Sequence, residues 1–275
     1  MGVGDALMAT GEVRELRKKF PDIKCIIGDG LRYYWNEVFD LNPFIIKGSD
    51  INNFKKVTWI KNYEGNRPYR NYGENLPKDN YNWKKNFKPK RGEIFFSDNE
   101  LQLSEEIITK IKNKIGSKKL IFIEPHVKKR LGFENRDWGF SKWQEVVRKL
   151  RNQYEFLQIT YGDNKPIEGC INIHGLNFRS SVAILSKCDL FIGTEGGMHH
   201  AAAATNRSAV VIFGGHISPN ITGYDFHKNL YVNLKESPCG YKNFCKHCEE
   251  CMKLISTDTM IENINKQLEN NRLKS

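Results

Sequence analysis

The sequence predicts an α/β fold with a parallel sheet, and three observations carry the prediction. Between residues 120 and 213, short apolar runs of strand length alternate with segments of helical character, the order that crossover connections produce. The runs at 120–124 (LIFIE), 189–193 (DLFIG) and 209–213 (AVVIF) are almost wholly apolar, as buried parallel strands are. The second stops at Gly193 and the third at Gly214, and the alanine-rich run 198–205 between them strongly favours helix.

In chain order, residues 2–20 open on Gly2-Val3-Gly4-Asp5 and continue as a helix, with Leu7, Val13, Leu16 and Phe20 at roughly helical spacing. Asp5 lies at its N-terminus, where an aspartate commonly serves as a cap. Residues 23–27 read as a strand ending at Gly28-Asp29-Gly30, with further short strands at 41–46 (LNPFII) and 57–60 (VTWI). Residues 62–90 are rich in Tyr, Asn, Lys, Pro and Trp and lack periodicity. They read as loop, either simply packed on the surface or shaped for sugars and phosphates. An amphipathic helix at 105–115 closes a first domain, and 116–119 is a hinge.

The strand 120–124 then leads into a basic loop, 125–139, which carries Lys128, Lys129, Arg130 and Arg136. The helix 141–153, the strand 156–161, the short strand 172–174 and the helix 178–187 deliver the chain to the strand at 189–193. A terminal helix at 258–273 has Ile261, Ile264 and Leu268 on one face.

The turn Thr194-Glu195-Gly196-Gly197 feeds a helix start, where free N–H groups and a positive dipole end suit an anion, typically a phosphate. Glu195 suits a hydroxylated ligand such as a sugar, and His199 or His200 on the first turn could donate to a diphosphate. A strand, two glycines and a helix also occur as a plain tight turn, so the spacing leaves both readings open. Cys239, Cys245, Cys248 and Cys251 fall within thirteen residues, with His247 among them. That density suits a structural zinc or iron, or reduced thiols packing a loop. Cys25, Cys170 and Cys188 lie in or beside strand-like segments and read as small buried hydrophobes.

A chain of 275 residues forms one large domain or two small ones. Its net charge of +11 is spread over many lysines and suits anionic ligands, nucleic acid or an anionic membrane surface. No apolar run reaches membrane-spanning length and the start is not a signal peptide, so a cytoplasmic location is expected, with peripheral membrane contact through basic and aromatic surface.

Residues 194–224 resemble the C-terminal signature of glycosyltransferase family 9, which contains the ADP-heptose:lipopolysaccharide heptosyltransferases. The family pattern is Asp-Thr-Gly-x-x-His, an alanine-rich helix, a strand, Phe-Gly and a Ser/Thr-Pro. Here it reads Glu195-Gly196-Gly197-Met198-His199-His200, Ala201 to Ala204, Val210 to Phe213, Gly214 and Ser218-Pro219. Glu195 stands for the usual Asp and Gly196 for the usual Thr. Gly4-Asp5 resembles the family's first motif, with Gly11 where Pro is frequent. Arg136-Asp137-Trp138 resembles its Lys-x-Trp, with Lys142-Trp143 as the competing alignment.

The resemblance implies two Rossmann-like domains facing a cleft (GT-B type). The expected bounds are 1–117 for an acceptor-side domain, 118–255 for a nucleotide-sugar domain and 256–275 for a helix returning to the first. In the family a strand precedes the first motif, so the first domain is expected to be shortened and to lack that strand. The implied activity is inverting, metal-independent sugar transfer from ADP-heptose or a similar donor to a glycan or glycolipid acceptor. Asp5 would be the base, and Arg136, Gly196, Gly197 and His200 would hold the leaving diphosphate while Glu195 held sugar hydroxyls. No cofactor is required for that catalysis. Two rivals remain: a catalytically inactive relative acting as a binding protein, and a basic nucleic-acid-binding protein with a four-cysteine metal knuckle, which the doubly wound pattern disfavours.

Overall fold

In the computed structural model, which describes residues 1–128 and 132–272, the apolar runs form one six-stranded parallel sheet. Its strands are β3 (Lys119–Glu124), β4 (Tyr154–Thr160), β5 (Ile171–His174), β6 (Leu190–Thr194), β7 (Ala209–Gly214) and β8 (Lys228–Tyr231). They lie in the order β5-β4-β3-β6-β7-β8, and every neighbouring pair is parallel. The order reverses between β3 and β6. In a doubly wound sheet that switch opens a crevice beyond the carboxyl ends of the strands, here at Glu124 and Glu195.

Both faces of the sheet are covered, which explains why its central strands are apolar throughout. Ile121, Ile123, Leu190, Ile192, Val210 and Ile212 face one layer. That layer is made by Trp143, Val146, Val147 and Leu150 of α3 (Phe140–Leu150) and Met260, Ile264 and Leu268 of α8 (Thr257–Arg272). The alternate residues Leu120, Phe122, Phe191, Val211 and Phe213 face α4 (Phe178–Leu185) and α5 (Gly197–Ala204). Two further helices lie beyond β7: α6 (Pro219–Thr222) and α7 (Lys246–Leu254).

The N-terminal half supplies α1 (Val3–Lys19), a two-stranded parallel sheet of β1 (Cys25–Ile27) and β2 (Thr58–Ile60), and α2 (Asp98–Ile115). Ser97 caps α2 reciprocally with Glu100, the capping box that an exposed helix start favours. Ala6, Leu7, Ala9 and Val13 of α1 join the same buried cluster as α4 and α5. The two halves therefore share apolar packing, a GT-B type arrangement of Rossmann-like units in which the first is small.

Two expectations need correction. Residues 41–46 are no strand; apart from one bridge between Cys25 and Ile45 they form turns. Asn42 accepts from the Phe44 amide and Leu41 has φ of 64°, so Asn-Pro turn chemistry prevails over the apolar run. The terminal helix does not return to the first domain. Its apolar face is satisfied against α3 and the sheet of its own domain, around Trp138 and Trp143. Lys129, Arg130 and Leu273 lie outside the described residues.

Candidate active site

The first turns of α1 and α5 meet head to head, and two glycines make that possible. A Cβ on Gly197 would sit 2.6 Å from Val3 Cγ2, and one on Gly4 would sit 2.9 Å from His200 Cδ2. Any larger residue would hold the helices apart. Gly196, by contrast, is extended (φ 165°), and a Cβ there would meet only open space and the Thr194 carbonyl at 4.0 Å. The contact brings two positive helix ends, each with free N–H groups, to one place.

Asp5 sits in the first turn of α1 but is not its cap; Gly2 occupies that position and no side chain caps the helix. The Asp5 carboxylate is buried and partnered from the 62–90 segment: Arg67 Nε donates at 2.8 Å and the Tyr69 hydroxyl at 2.6 Å. Burial, and then the neighbouring Asp5 charge, pushes the Tyr69 hydroxyl well above its ordinary value, so Tyr69 stays a donor.

Across the contact, Glu195 follows β6 directly and is 7% exposed. One of its oxygens is held by Arg136, whose guanidinium also reaches the Glu195 carbonyl at 3.3 Å. The other accepts from the Thr222 hydroxyl at 3.2 Å and lies 3.8 Å from His200 Nε2. Burial alone would raise the Glu195 carboxyl, but Arg136 first and then His200 and His199 hold it well below the usual carboxylate range. His200 Nδ1 lies 2.9 Å from the Tyr224 hydroxyl, which orients the ring. The Arg136 Nε is buried with no partner.

The structure thus brings Asp5, Arg136, Glu195, Gly196, Gly197 and His200 around one junction. Both Glu195 oxygens have partners within the protein, Arg136 on one and Thr222 and His200 on the other. Lys142, the competing basic residue, is committed elsewhere: its Nζ donates to the carbonyls of Met252 and Ile255 at 2.8 and 3.0 Å. It lines a separate cavity of about 360 Å³ with Trp138, Phe244 and Cys245, away from Asp5.

The cysteine loop folds under the turn after β7, where the Cys239 amide donates to Gly215 O and the Gly240 amide to His216 O, each at 3.0 Å. Cys239 Sγ lies 3.8 Å from Cys245 Sγ and 3.1 Å from Cys248 Sγ, and His216 joins Cys239 and Cys248 with ligand atoms within 4.8 Å of one another. Cys251 does not join them. It lies one turn further along α7, 3.7 Å from both Ser237 Oγ and His247 Nε2. In place of the expected four cysteines, the structure draws together Cys239, Cys248 and His216, with Cys245 beside Cys239. Two thiolates 2.3 Å from one tetrahedral ion stand about 3.8 Å apart, so the Cys239–Cys245 spacing fits a metal.

Thr222 and His216 were not identified from the sequence, and Arg67-Pro68-Tyr69 resembled the family's first domain without a site role. Arg67-Pro68-Tyr69 stood in a segment without periodicity, and His216 is separated from the cysteines by more than twenty residues. Its position right after the Gly214-Gly215 turn was the available signal.

The doubly wound parallel sheet, with a glycine-rich helix start beyond its switch point, defines a Rossmann-like α/β fold. The model of glycosyltransferase family 9 (heptosyltransferase) matches residues 96–252, more than half of the chain, and the chain belongs to that family. The family 9 glycosyltransferase of Veillonella parvula DSM 2008 shares the fold over 98% of this chain and 95% of its own, with a TM-score of 0.63 at 14% identity. The ADP-heptose LPS heptosyltransferase II of E. coli matches over 72% of this chain and 56% of its own, with a TM-score of 0.48 at 18% identity. The iron-containing dodecameric glycosyltransferase TibC of enterotoxigenic E. coli H10407 matches over 56% and 45%, with a TM-score of 0.45 at 20% identity. The chain therefore spans about half the length of these two E. coli proteins. No protein of curated function matches it.

Proposed function

We propose that this chain transfers a sugar from a nucleotide-diphosphate sugar to an acceptor hydroxyl, with inversion at the anomeric carbon. The observation that carries the reading is the head-to-head contact of α1 and α5, which sets the Asp5 turn against the Gly196-Gly197 turn and His200. Asp5 takes the acceptor proton as that oxygen attacks the anomeric carbon. The bond from carbon to diphosphate breaks, and the charge growing on the leaving diphosphate meets the amides at the start of α5, His200 and the unpartnered Nε of Arg136. Arg67 and Tyr69 hold the carboxylate until the acceptor displaces them. Fixed cations and the helix start supply the positive charge, and no step is routed through a metal.

The family's description as heptosyltransferases supports a heptose-like sugar; ADP-heptose as the donor and a lipopolysaccharide or other surface glycan as the acceptor complete the proposal. Among the described residues no helix is long and apolar enough to cross a membrane. With a net charge of +11, the chain would work in the cytoplasm, peripherally at an anionic membrane face. Cys239, Cys245, Cys248 and His216 would hold a structural zinc or iron, which supplies cross-linking of the loop to the turn after β7. The hydrogen bond from Cys248, against burial and with help from His216, lowers the Cys239 thiol, while the same bond raises that of Cys248, so the pair shares one proton.

The test is binding and hydrolysis of a panel of nucleotide-sugars, with the released sugar followed by NMR. One donor should bind and give the inverted anomer; binding of none would overturn the reading. A second reading, an inactive binding relative, is favoured by one observation: Asp5 and Arg136 are both already ion-paired within the protein. Donor binding without any hydrolysis or transfer would select it.

A further inference from the structure

His199 is fully buried, and neither of its ring nitrogens has a hydrogen-bond partner. A neutral imidazole offers one donor and one acceptor, and leaving both buried without partners is unfavourable. An apolar side chain would pack this first turn of α5 without that penalty. The surroundings supply no partner: the ring stands edge-on to Phe213 and Tyr224, with centroids 5.6 and 5.2 Å away.

What does lie near is a set of metal-ligating atoms. One atom each from Glu195, His199 and His200 falls within 4.8 Å of the others, and all three side chains are buried. His200 Nδ1 is committed to the Tyr224 hydroxyl, which leaves Nε2 facing Glu195 Oε1 at 3.8 Å. Two ligands 2.0–2.1 Å from one tetrahedral ion stand about 3.4 Å apart, so the Glu195–His200 pair needs a small contraction and His199 has to close in from within 4.8 Å. The hydrogen bond on the far nitrogen of His200 is the outer contact that fixes a ligating histidine's tautomer.

We propose that Glu195, His199 and His200 form a binding site for a divalent transition-metal ion of the zinc type, separate from the cysteine site. Two imidazoles and one carboxylate leave a coordination position open, as sites that also bind a small ligand do. Burial, and then His200 and His227, holds His199 well below its ordinary pKa, so it is present in the neutral form that ligates. His227, whose Nδ1 is likewise without a partner, has its ring centroid 5.4 Å from that of His199. Arg136 stays on the other oxygen of Glu195, and the Thr222 hydroxyl donates to Oε1 at 3.2 Å, which leaves that oxygen one lone pair for the ion. The site needs only these three side chains and shares Glu195 and His200 with the transferase reading, on which it does not depend. On that reading, the bound ion takes the place of His200 Nε2 and adds its charge to that of Arg136 beside the leaving group.

The test uses the full chain freed of metal by chelation and titrated with Co²⁺, read by absorption and elemental analysis. Cobalt on the cysteines gives thiolate charge-transfer bands; cobalt on the glutamate and histidines gives d–d bands without them. The wild type should bind one equivalent without charge-transfer bands, whether or not the cysteines take another. His199→Gln should lose that equivalent and keep any thiolate bands. Retention of the equivalent in His199→Gln, or a wild type whose only bound cobalt shows thiolate bands, overturns the proposal. If His199→Gln does not fold, histidine ring ¹⁵N spectra of the wild type with Zn²⁺ decide: ring nitrogens of His199 and His200 must shift on binding, and unchanged signals overturn it.

Discussion

Substituting Gly197 by alanine tests whether α1 docks on α5 as described. The new Cβ would stand 2.6 Å from Val3 Cγ2, while its other neighbours, Phe178 Cε2 and Gly4 N, are 3.8 and 3.9 Å away at ordinary contact distance. The Val3 methyl must therefore give way by about 1 Å, by turning its side chain or by moving the helices apart at this one point. Overpacking of this kind costs about 1–3 kcal/mol. The alanine returns up to about 1 kcal/mol by restricting the unfolded chain, so a net loss of about 1–2 kcal/mol is expected by urea unfolding. Because the separation falls between Asp5 and His200, donor hydrolysis should drop by up to about 10²-fold, the sensitivity expected of a 1 Å misplacement. The decisive arm is a double-mutant cycle. In a Val3→Ala background the clashing methyl is gone, and Gly197→Ala should cost less than about 0.5 kcal/mol. An equal cost in both backgrounds would show that Val3 does not abut Gly197, and the junction as drawn would be wrong.

Three other outcomes are expected. Arg179, 6% exposed, binds both oxygens of Glu100 at 2.7 and 2.8 Å and the carbonyls of Glu37 and Phe95, so Arg179→Ala should cost about 3–5 kcal/mol in urea unfolding by leaving Glu100 uncompensated between the halves. A loss below 1 kcal/mol would mean the halves do not depend on this pair. Burial pushes the Glu124 carboxyl up to about 7, so the folded chain keeps a proton there that the unfolded chain loses above its ordinary value of 4.5. Stability should fall by up to roughly 3 kcal/mol as pH rises from about 4.5 to about 7 and level off above. Melting scans across that window should lose this slope in Glu124→Gln, and an unchanged slope would assign it elsewhere. Chelation should lower the melting temperature of the wild type but not of Cys248→Ser, and an equal drop in both would remove the metal from the cysteine loop.

The strands of the second half were legible because each central one is buried on both faces, and an unbroken apolar run is the direct imprint of that burial. β8 was not, since the edge strand Lys228–Tyr231 is partly exposed and its residues lack such a run. Residues 41–46 misled for the opposite reason: apolar side chains sat on a backbone whose path is set by Asn42 and Pro43. The glycine turns at Gly4 and Gly197 could be read as ligand turns, but not that they touch, because that contact joins positions almost two hundred residues apart. For the same reason the pairing of Arg136 with Glu195, and of Arg67 and Tyr69 with Asp5, was hidden. Each residue type suggested a ligand, and only the fold shows which of them first meet each other. The direction of the last helix was equally illegible, since Met260, Ile264 and Leu268 would fit any apolar surface.

The measurement closest to the central claim is turnover of the best-bound nucleotide-sugar by the wild type and by Asp5→Asn, with donor affinity measured alongside. A general base contributes about 10²–10⁴-fold. The account predicts a loss of that size in turnover with donor affinity within a few-fold of wild type, because Asp5 acts on the acceptor and the donor is held from α5. Undiminished turnover in Asp5→Asn would contradict it and take the base from Asp5.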